Sequence, residues 1–268
     1  MAKFNFGDLP LLASTLNGRN VHVYRIVLDV PCKVQEKLLG TLSTDEMERA
    51  NRFQFEQHKH RFITAHGVVR VILARYLGEE PADLRFVYGP YGKPALGHFS
   101  KANPLYFNFS HSQGLGILSL ALCDVGVDIE HIRPIEDFQA LAKNHFSSCE
   151  SEILNRVPPG DRLTSFYTCW TRKEAFIKAI GKGLSRPLDS FTVSLAPGDL
   201  PCLVSAEGED ASQWSILDLP VGKNWAAALA IRRRTAELNF WEWDERFTNF
   251  QKPIPEDFRG IEQINRCL

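Results

Sequence analysis

The sequence has no excess of charge of either sign. It contains 31 lysine and arginine residues against 32 aspartate and glutamate residues, and its formal net charge is −1. Proteins that hold a nucleic acid duplex usually show a basic excess, so no nucleic acid partner is expected. This balance still allows a local basic pocket for one small anionic ligand.

Long apolar runs and paired cysteines are also missing. The first twenty residues contain no charged stretch followed by a continuous apolar run, so they do not predict a secretory signal. No apolar segment approaches the roughly 18 residues that a membrane-spanning helix needs. The six cysteines form no Cys-x-x-Cys pair and no zinc-like spacing. These absences predict a cytoplasmic protein with reduced cysteines and no membrane partner.

What remains is an ordinary globular composition over 268 residues, enough for one large domain or two smaller halves. In the first half, Ser43-Thr44-Asp45-Glu46 has the spacing of a capping box and begins a long helical stretch. We expect this stretch to break near residues 57–59 and to end at Gly78. Strands are predicted at residues 84–88, 105–109 and 115–123.

The same order of elements recurs in the second half. A second capping box lies at Ser147-Ser148-Cys149-Glu150, followed by a predicted helix over residues 166–180 and strands near 191–195 and 225–231. Matching elements are offset by 104 residues (Ser43 to Ser147), 107 residues (Leu84 to Phe191) and 109 residues (Gly116 to Trp225), a nearly constant spacing that indicates a duplicated unit.

The predicted fold class is therefore α+β, with two similar halves that each pack a long helix on a small antiparallel sheet. We expect a pseudo-two-fold relation between the halves and an active site in the cleft between them. The predicted boundaries are 1–122 for the N-terminal half, 123–245 for the C-terminal half and 246–268 for a C-terminal tail.

Two carboxylates stand out in the segment Gly126-Val127-Asp128-Ile129-Glu130, which predicts a strand. Side chains alternate across a strand, so Asp128 and Glu130 share one face. Held about 7 Å apart, they repel unless they are solvated or bridged. A hard cation such as magnesium would bridge them, because it prefers oxygen ligands. The alternative is the solvent-exposed face of an edge strand.

The second predicted helix has a face of mixed chemistry. At 100° per residue, an arc of about 140° contains Trp170, Lys173, Glu174, Ile177, Lys178 and Gly181. A solvated face rarely places a tryptophan beside charges, whereas a core face excludes the charges. The pattern fits a partly dry pocket, and it also fits a surface ion pair between Glu174 and Lys178.

A polar cluster follows the strand near residue 107. The adjacent Ser110 and His111 suit a hydrolase, but the chain has no G-x-S-x-G elbow. The cluster equally suits a hairpin turn or hydrogen bonding to a phosphate. Gly92-Lys93-Pro94 predicts a turn whose lysine meets either an anion or solvent. Gly181-Lys182-Gly183 lacks the Ser or Thr of a P-loop, which excludes that motif.

Together these segments resemble the phosphopantetheinyl transferase family, and within it the longer, pseudo-dimeric type that activates surfactin-like synthetases. The resemblance runs from about Ser43 to Leu195. Its most specific part is the D-x-E and W-x-x-K-E-A-x-x-K pair, whose members are separated by roughly forty residues. The motifs that carry it are Tyr91-Gly92-Lys93-Pro94, Phe107-Asn108-Phe109-Ser110-His111-Ser112, Gly126-Val127-Asp128-Ile129-Glu130, Phe146-Ser147, Trp170-x-x-Lys173-Glu174-Ala175-x-x-Lys178 and Gly181-Lys182-Gly183-Leu184.

The resemblance implies a magnesium-dependent enzyme that transfers the 4′-phosphopantetheine arm of coenzyme A to a serine of an apo acyl or peptidyl carrier protein. Adenosine 3′,5′-bisphosphate would be released, and the enzyme would be a monomer. Asp128, Glu130 and Glu174 would hold Mg²⁺, Glu174 would also activate the serine, and Lys178 would stabilise the departing phosphate. The coenzyme A contacts that it implies are Arg49, Arg61, Lys93, Pro94, Ser110, His111 and Lys173.

One departure from the family and one ambiguous position stand beside this resemblance. The family often carries two basic residues near the start of the first helix, where this sequence has Glu46 and Arg49, so only Arg49 supplies positive charge. Glu150 matches an acidic family position near the metal, but its capping-box spacing with Ser147 also explains it fully as a helix cap.

Two other functions are compatible with the same residues. One is a different metal-dependent phosphotransferase or phosphohydrolase that acts on coenzyme A or nucleotides. The other is a coenzyme A-binding module without catalysis, but the presence of Asp128, Glu130, Glu174 and Lys178 speaks against it.

Overall fold

The computed structural model describes residues 16–97, 104–196, 198–243 and 262–264, and within these residues it is an α+β protein. The predicted tail at 246–268 lies outside the described residues, except for the strand at its residues 262–264. The helices are α1 (Cys32–Leu39), α2 (Thr44–Ala50), α3 (Glu56–Leu77), α4 (Phe138–His145), α5 (Ser148–Arg156) and α6 (Arg162–Ile180). The strands are β1 (Asn20–Val27), β2 (Phe86–Tyr88), β3 (Pro94–Leu96), β4 (Tyr106–Ser112), β5 (Leu115–Ala121), β6 (Val125–His131), β7 (Phe191–Val193), β8 (Leu203–Ala206), β9 (Ser215–Asp218), β10 (Trp225–Ile231), β11 (Thr235–Trp243) and β12 (Glu262–Ile264).

Two sheets organise the molecule. A five-stranded sheet has the order β12-β11-β1-β5-β4, and a three-stranded sheet has the order β6-β10-β9. Strands β5 and β10, whose sequences suggested the duplication, each lie between two partners. The pairs β2–β3 and β7–β8 form separate two-stranded sheets.

The five-stranded sheet is mixed, which corrects the expectation of a purely antiparallel one. Strand β11 pairs with β1 in parallel, with Val23 opposite Phe240, although β11 comes from the predicted C-terminal half. A parallel partner of this kind comes from a distant part of the chain, so no local turn signal announces it.

Alternating side chains of the two sheets build three apolar clusters. The cluster between the sheets contains Val21 and Ile117 of the first sheet and Val127 and Leu229 of the second. The opposite face of the first sheet packs against α3, and that of the second packs against α6. Each long helix therefore covers one sheet, as the sequence predicts, because the central strands β5 and β10 are buried on both faces.

Both predicted capping boxes are present. The Ser43 hydroxyl accepts the N–H of Glu46, and the Glu46 carboxylate accepts the N–H of Ser43; Ser147 and Glu150 repeat this exchange. The first helical stretch breaks over residues 51–55, a few residues earlier than expected.

Four cysteines, Cys32, Cys123, Cys149 and Cys169, are free thiols. Cys202 is disulfide-bonded, against the expectation of reduced cysteines, and Cys267 lies outside the described residues. No helix in the described part of the chain is both long and apolar enough to cross a membrane.

The contact between β6 and α6 requires a glycine. A Cβ atom on Gly126 would lie 2.2 Å from the Ala175 carbonyl oxygen and 2.3 Å from the Ala179 nitrogen. Real side chains do not approach so closely, so only glycine lets the strand and the helix meet here. This close approach positions the polar residues described next.

Candidate active site

Side chains rather than a backbone ladder join β4 to β6, the facing edge strands of the two sheets. The Asn108 Oδ1 atom accepts the Val127 N–H at 2.8 Å. The Ser110 hydroxyl donates to Asp128 Oδ1 at 2.9 Å. Strand alternation brings every second residue of β4 to this seam, and Asn108 satisfies an N–H of the edge strand.

Asp128 and Glu130 share one face of β6, as the alternation predicts, while Val127 and Ile129 are buried between the sheets. Asp128 is only 3 % exposed, so this is not the solvated edge that was the alternative. The Ser112 hydroxyl donates to Glu130 Oε2 at 2.8 Å. Burial raises the pKa of Glu130 despite this hydrogen bond, and the charge of Asp128 raises it further.

Helix α6 adds a carboxylate and a cation to the two carboxylates of β6. Lys178 Nζ donates to Asp128 Oδ1 at 2.6 Å and to the Ser110 hydroxyl at 3.0 Å. Burial raises the pKa of Glu174 to about 7, and the charges of Asp128 and Glu130 add to this effect while Lys178 opposes it. Three carboxylates thus influence one another across the seam, with one ammonium among them.

The donor atoms fit a hard divalent cation in their chemistry. Carboxylate oxygens are the ligands that Mg²⁺ prefers, and buried Asp128 Oδ2 has no hydrogen-bond partner within the described residues. No three Asp, Glu, His or Cys side chains of the described residues already form a metal-holding group, and the Lys178 ammonium lies on Asp128 instead. Metal binding would therefore require Lys178 to release Asp128 Oδ1 or the metal to use Oδ2.

A second set of basic groups borders the seam near His111. Arg61 on α3 donates to both carboxylate oxygens of Asp29, each at 2.8 Å. Burial lowers the pKa of His111, and the neighbouring His66, Lys178 and Arg61 lower it further. His111 thus lies near Arg61 and Lys178, a basic setting that suits a phosphate ligand.

Arg49 lies on α2, outside the group of residues around His111. It lies over the Phe62 ring at 5.4 Å and lines a pocket of about 160 Å³ between α2, α3 and β2. Glu46 lines the same pocket and accepts hydrogen bonds from His66 and Arg70 at 3.1 and 2.6 Å. Helix α2 thus carries both the negative charge of Glu46 and the positive charge of Arg49, as the sequence indicates.

Lys173 is not brought to the seam. It is fully buried, forms an ion pair with Glu150 at 2.7 Å and donates to the carbonyls of Leu188 and Phe191 at 2.8 and 2.6 Å. The residues of the mixed face of α6 therefore point to two different environments. Glu174 and Lys178 face β6, whereas Lys173 lies in the interior among aromatic rings, including Phe191. Its expected contact with coenzyme A stays a prediction, and the ammonium is already paired with Glu150.

Lys93 and Pro94 also lie away from the carboxylates. Pro94 begins β3, opposite Tyr88 in the two-stranded hairpin. Lys93 Nζ donates to the carbonyls of Val125 and Ala179 at 3.1 and 2.8 Å.

Three contributors to the site were given no role from the sequence, although two of them, Asn108 and Ser112, belong to the motif around Ser110. Asn108 and Ser112 form the seam with β6, and Asp29 holds Arg61. Strand alternation around Ser110 was a usable signal for the first two. Asp29 lies against Gly114, where an added Cβ atom would be 2.5 Å from Asp29 Oδ2. This contact joins distant parts of the sequence, so only the tertiary structure shows it.

Comparisons with known proteins give the chain's family and its relatives. The model of the 4′-phosphopantetheinyl transferase superfamily matches residues 124–230, which include β6 and α6. The 4′-phosphopantetheinyl transferase HetI of Nostoc sp. is 38 % identical over 230 residues, which cover 85 % of this chain and 94 % of HetI. A putative 4′-phosphopantetheinyl transferase of Synechocystis sp., slr0495, is 40 % identical over 74 % of this chain and 81 % of its own length. The 4′-phosphopantetheinyl transferase Sfp of Bacillus subtilis is 34 % identical over 65 % of this chain and 76 % of Sfp.

Proposed function

The chain belongs to the 4′-phosphopantetheinyl transferase superfamily, and we propose how its residues transfer the 4′-phosphopantetheine arm of coenzyme A to a serine of a carrier protein. The observation that carries the proposal is the junction of α6 with β6, where Glu174 and Lys178 meet Asp128 and Glu130. The second product is adenosine 3′,5′-bisphosphate.

Asp128, Glu130 and Glu174 are the proposed Mg²⁺ ligands. They supply only hard oxygen donors, and their mutual repulsion is relieved when a cation binds. The cation would offset the charge that builds on the pyrophosphate oxygens during transfer. The Lys178 ammonium also offsets part of the charge of Asp128.

Glu174 is the proposed proton acceptor. The serine hydroxyl must lose its proton as its oxygen bonds to the phosphorus of the pantetheine phosphate. Burial raises the pKa of Glu174 to about 7, and a bound cation would lower it, so that Glu174 would be a deprotonated carboxylate able to accept this proton. The bond from that phosphorus to the bridging pyrophosphate oxygen breaks, and Lys178 stabilises the charge on the departing phosphate.

Coenzyme A would extend from this seam along the basic border. The proposed phosphate contacts are Ser110, which donates to Asp128, His111 beside it on β4, and Arg61 on α3 near His111. Arg49 lines the neighbouring pocket and is proposed to contact the nucleotide end.

The arrangement also supports a proposal on overall organisation. The division into 1–122 and 123–245 falls between β5 and β6, and each part supplies one long helix packed on a sheet. We propose that the two parts are pseudo-two-fold related halves of a cytoplasmic monomer. Strand β11, which returns to the first sheet, would then join the halves.

Intact-mass analysis of an apo carrier protein tests the function. The carrier is incubated with this protein, coenzyme A and Mg²⁺, with and without a chelator, and a gain of one phosphopantetheine that the chelator abolishes is expected. Glu174→Gln should abolish the gain while coenzyme A binding survives. Breakdown of free coenzyme A without modification of any carrier would favour the phosphohydrolase, and binding without either reaction would favour the binding module.

A further inference from the structure

The Lys93 side chain connects three separate parts of the molecule. It precedes β3 in the hairpin of the N-terminal half, and its Nζ donates to the carbonyl oxygens of Ala179 and Val125 at 2.8 and 3.1 Å. Ala179 lies in the last turn of α6, and Val125 is the first residue of β6. One ammonium therefore bonds the backbones of the two elements that carry all three carboxylates.

The first of these bonds caps a helix from a distant segment. The last carbonyls of a helix have no intrahelical donors, and a cation beside them is favoured by the helix dipole. Gly181, with a left-handed φ of 69°, donates its N–H to the Lys178 carbonyl, and Lys93 supplies a donor to Ala179. The turn before β3 thus completes the C-terminus of α6.

The second bond lies beside a close contact between the helix and the strand. Gly126, the residue after Val125, leaves no room for a Cβ atom between β6 and the backbone of Ala175 and Ala179. The relative placement of the two elements is set at this contact, and Lys93 binds both of them at that point.

A small displacement of α6 relative to β6 at this contact would change the distances between the carboxylates. Asp128 follows Val125 by three residues, about 10 Å along an extended strand. Glu174 precedes Ala179 by five residues, about 7.5 Å along a helix. A rigid helix moves as a unit, so a displacement of its last turn carries Glu174 and Lys178 with it relative to Asp128.

We propose that Lys93 is a positioning residue, whose ammonium locks the last turn of α6 to the start of β6 and thereby sets the spacing of Glu174 from Asp128 and Glu130. It acts on the site through the backbone and does not reach the phosphates of coenzyme A. The assignment of the carboxylates as metal ligands rests on the proposed function, whereas the lock itself does not.

The partly buried environment of Lys93 supports a structural role for its side chain. Burial lowers the pKa of Lys93 to about 8, although the negative charge of Asp124 raises it in part. A Cβ atom on Gly181 would touch the Lys93 side chain at 3.4 Å, so the stem packs against the helix cap.

The test compares Lys93→Met, which keeps the stem and removes the donors, with Lys93→Arg, which keeps a donating cation. Lys182→Met is the matched control, because Lys182 lies in the adjoining loop and is exposed. Hydrogen exchange of the amides in the last turn of α6 is measured by mass spectrometry, and Mn²⁺ affinity is measured by electron paramagnetic resonance without coenzyme A. Transfer kinetics and the Kd of coenzyme A complete the set.

Lys93→Met should speed exchange in the last turn of α6 about tenfold and weaken Mn²⁺ binding about tenfold. We expect kcat to fall about tenfold or more, while the Kd of coenzyme A stays within about threefold. Lys93→Arg should restore most of each property, and Lys182→Met should match the wild type throughout.

Two results would overturn the inference. One is unchanged exchange and unchanged Mn²⁺ affinity in Lys93→Met. The other is a Kd of coenzyme A raised about tenfold or more with the other properties unaltered, which would make Lys93 a direct phosphate contact.

If Lys93→Met does not fold, Lys93→Gln takes its place, because its amide retains one donor group, and the same two results decide. Absence of any transfer by the wild type would instead refute the proposed function, and the exchange measurement would still decide on the lock.

Discussion

Substitution of Gly126 by alanine tests the claim that one backbone contact positions the site. The added Cβ atom would lie 2.2 Å from the Ala175 oxygen, whereas such atoms do not approach closer than 3.0 Å. The neighbours in this contact are backbone atoms of a helix and cannot rotate away. Helix α6 would therefore have to retreat by roughly 0.8 Å in a close-packed interior.

The retreat has two consequences of predictable size. Overpacking of this kind costs about 1–3 kcal/mol of the free energy of unfolding, which leaves a domain of ordinary stability folded. A displacement of about 1 Å between catalytic groups lowers kcat about 100-fold. We expect both effects, although Gly126 contributes no side chain to the site.

The assay follows phosphopantetheine transfer to an apo carrier by intact mass, and urea unfolding gives the stability. Gly160→Ala is the control, because a Cβ atom on Gly160 would meet nothing within 4 Å. If Gly126→Ala keeps kcat within about threefold of the wild type while remaining folded, the spacing of α6 from β6 does not control the reaction and the reasoning fails.

Two further predictions concern buried charge. Lys173→Met leaves the fully buried Glu150 without its cation and should lower the free energy of unfolding in urea by about 3–5 kcal/mol; a loss below about 1 kcal/mol together with a weaker affinity for coenzyme A would make Lys173 a ligand contact. Because metal ligands must be deprotonated and the pKa of Glu174 is about 7, Mn²⁺ binding at about pH 6 should release a proton. The affinity should therefore rise as pH increases through that pKa and then level off, which titration calorimetry in buffers of different ionisation enthalpy would detect; equal affinities at about pH 6 and pH 8 would contradict it.

The local features of the site follow from backbone geometry alone. Strand alternation predicts that Asp128 and Glu130 share a face, and the structure agrees. The capping boxes at Ser43 and Ser147 predict where two helices begin, since their hydrogen bonds span only three residues. Such interactions are complete within a short segment, so a sequence contains all that is needed to predict them.

The tertiary structure decided which of these groups meet. Helical periodicity places Lys173 and Glu174 on one arc, but packing buries the first against Glu150 and turns the second toward Asp128. The parallel pairing of β11 with β1 and the bonds of Lys93 join segments whose proximity no local signal encodes. The physical reason is that each helix has several faces and each strand two edges, and which partner they bury against depends on the packing of the whole chain.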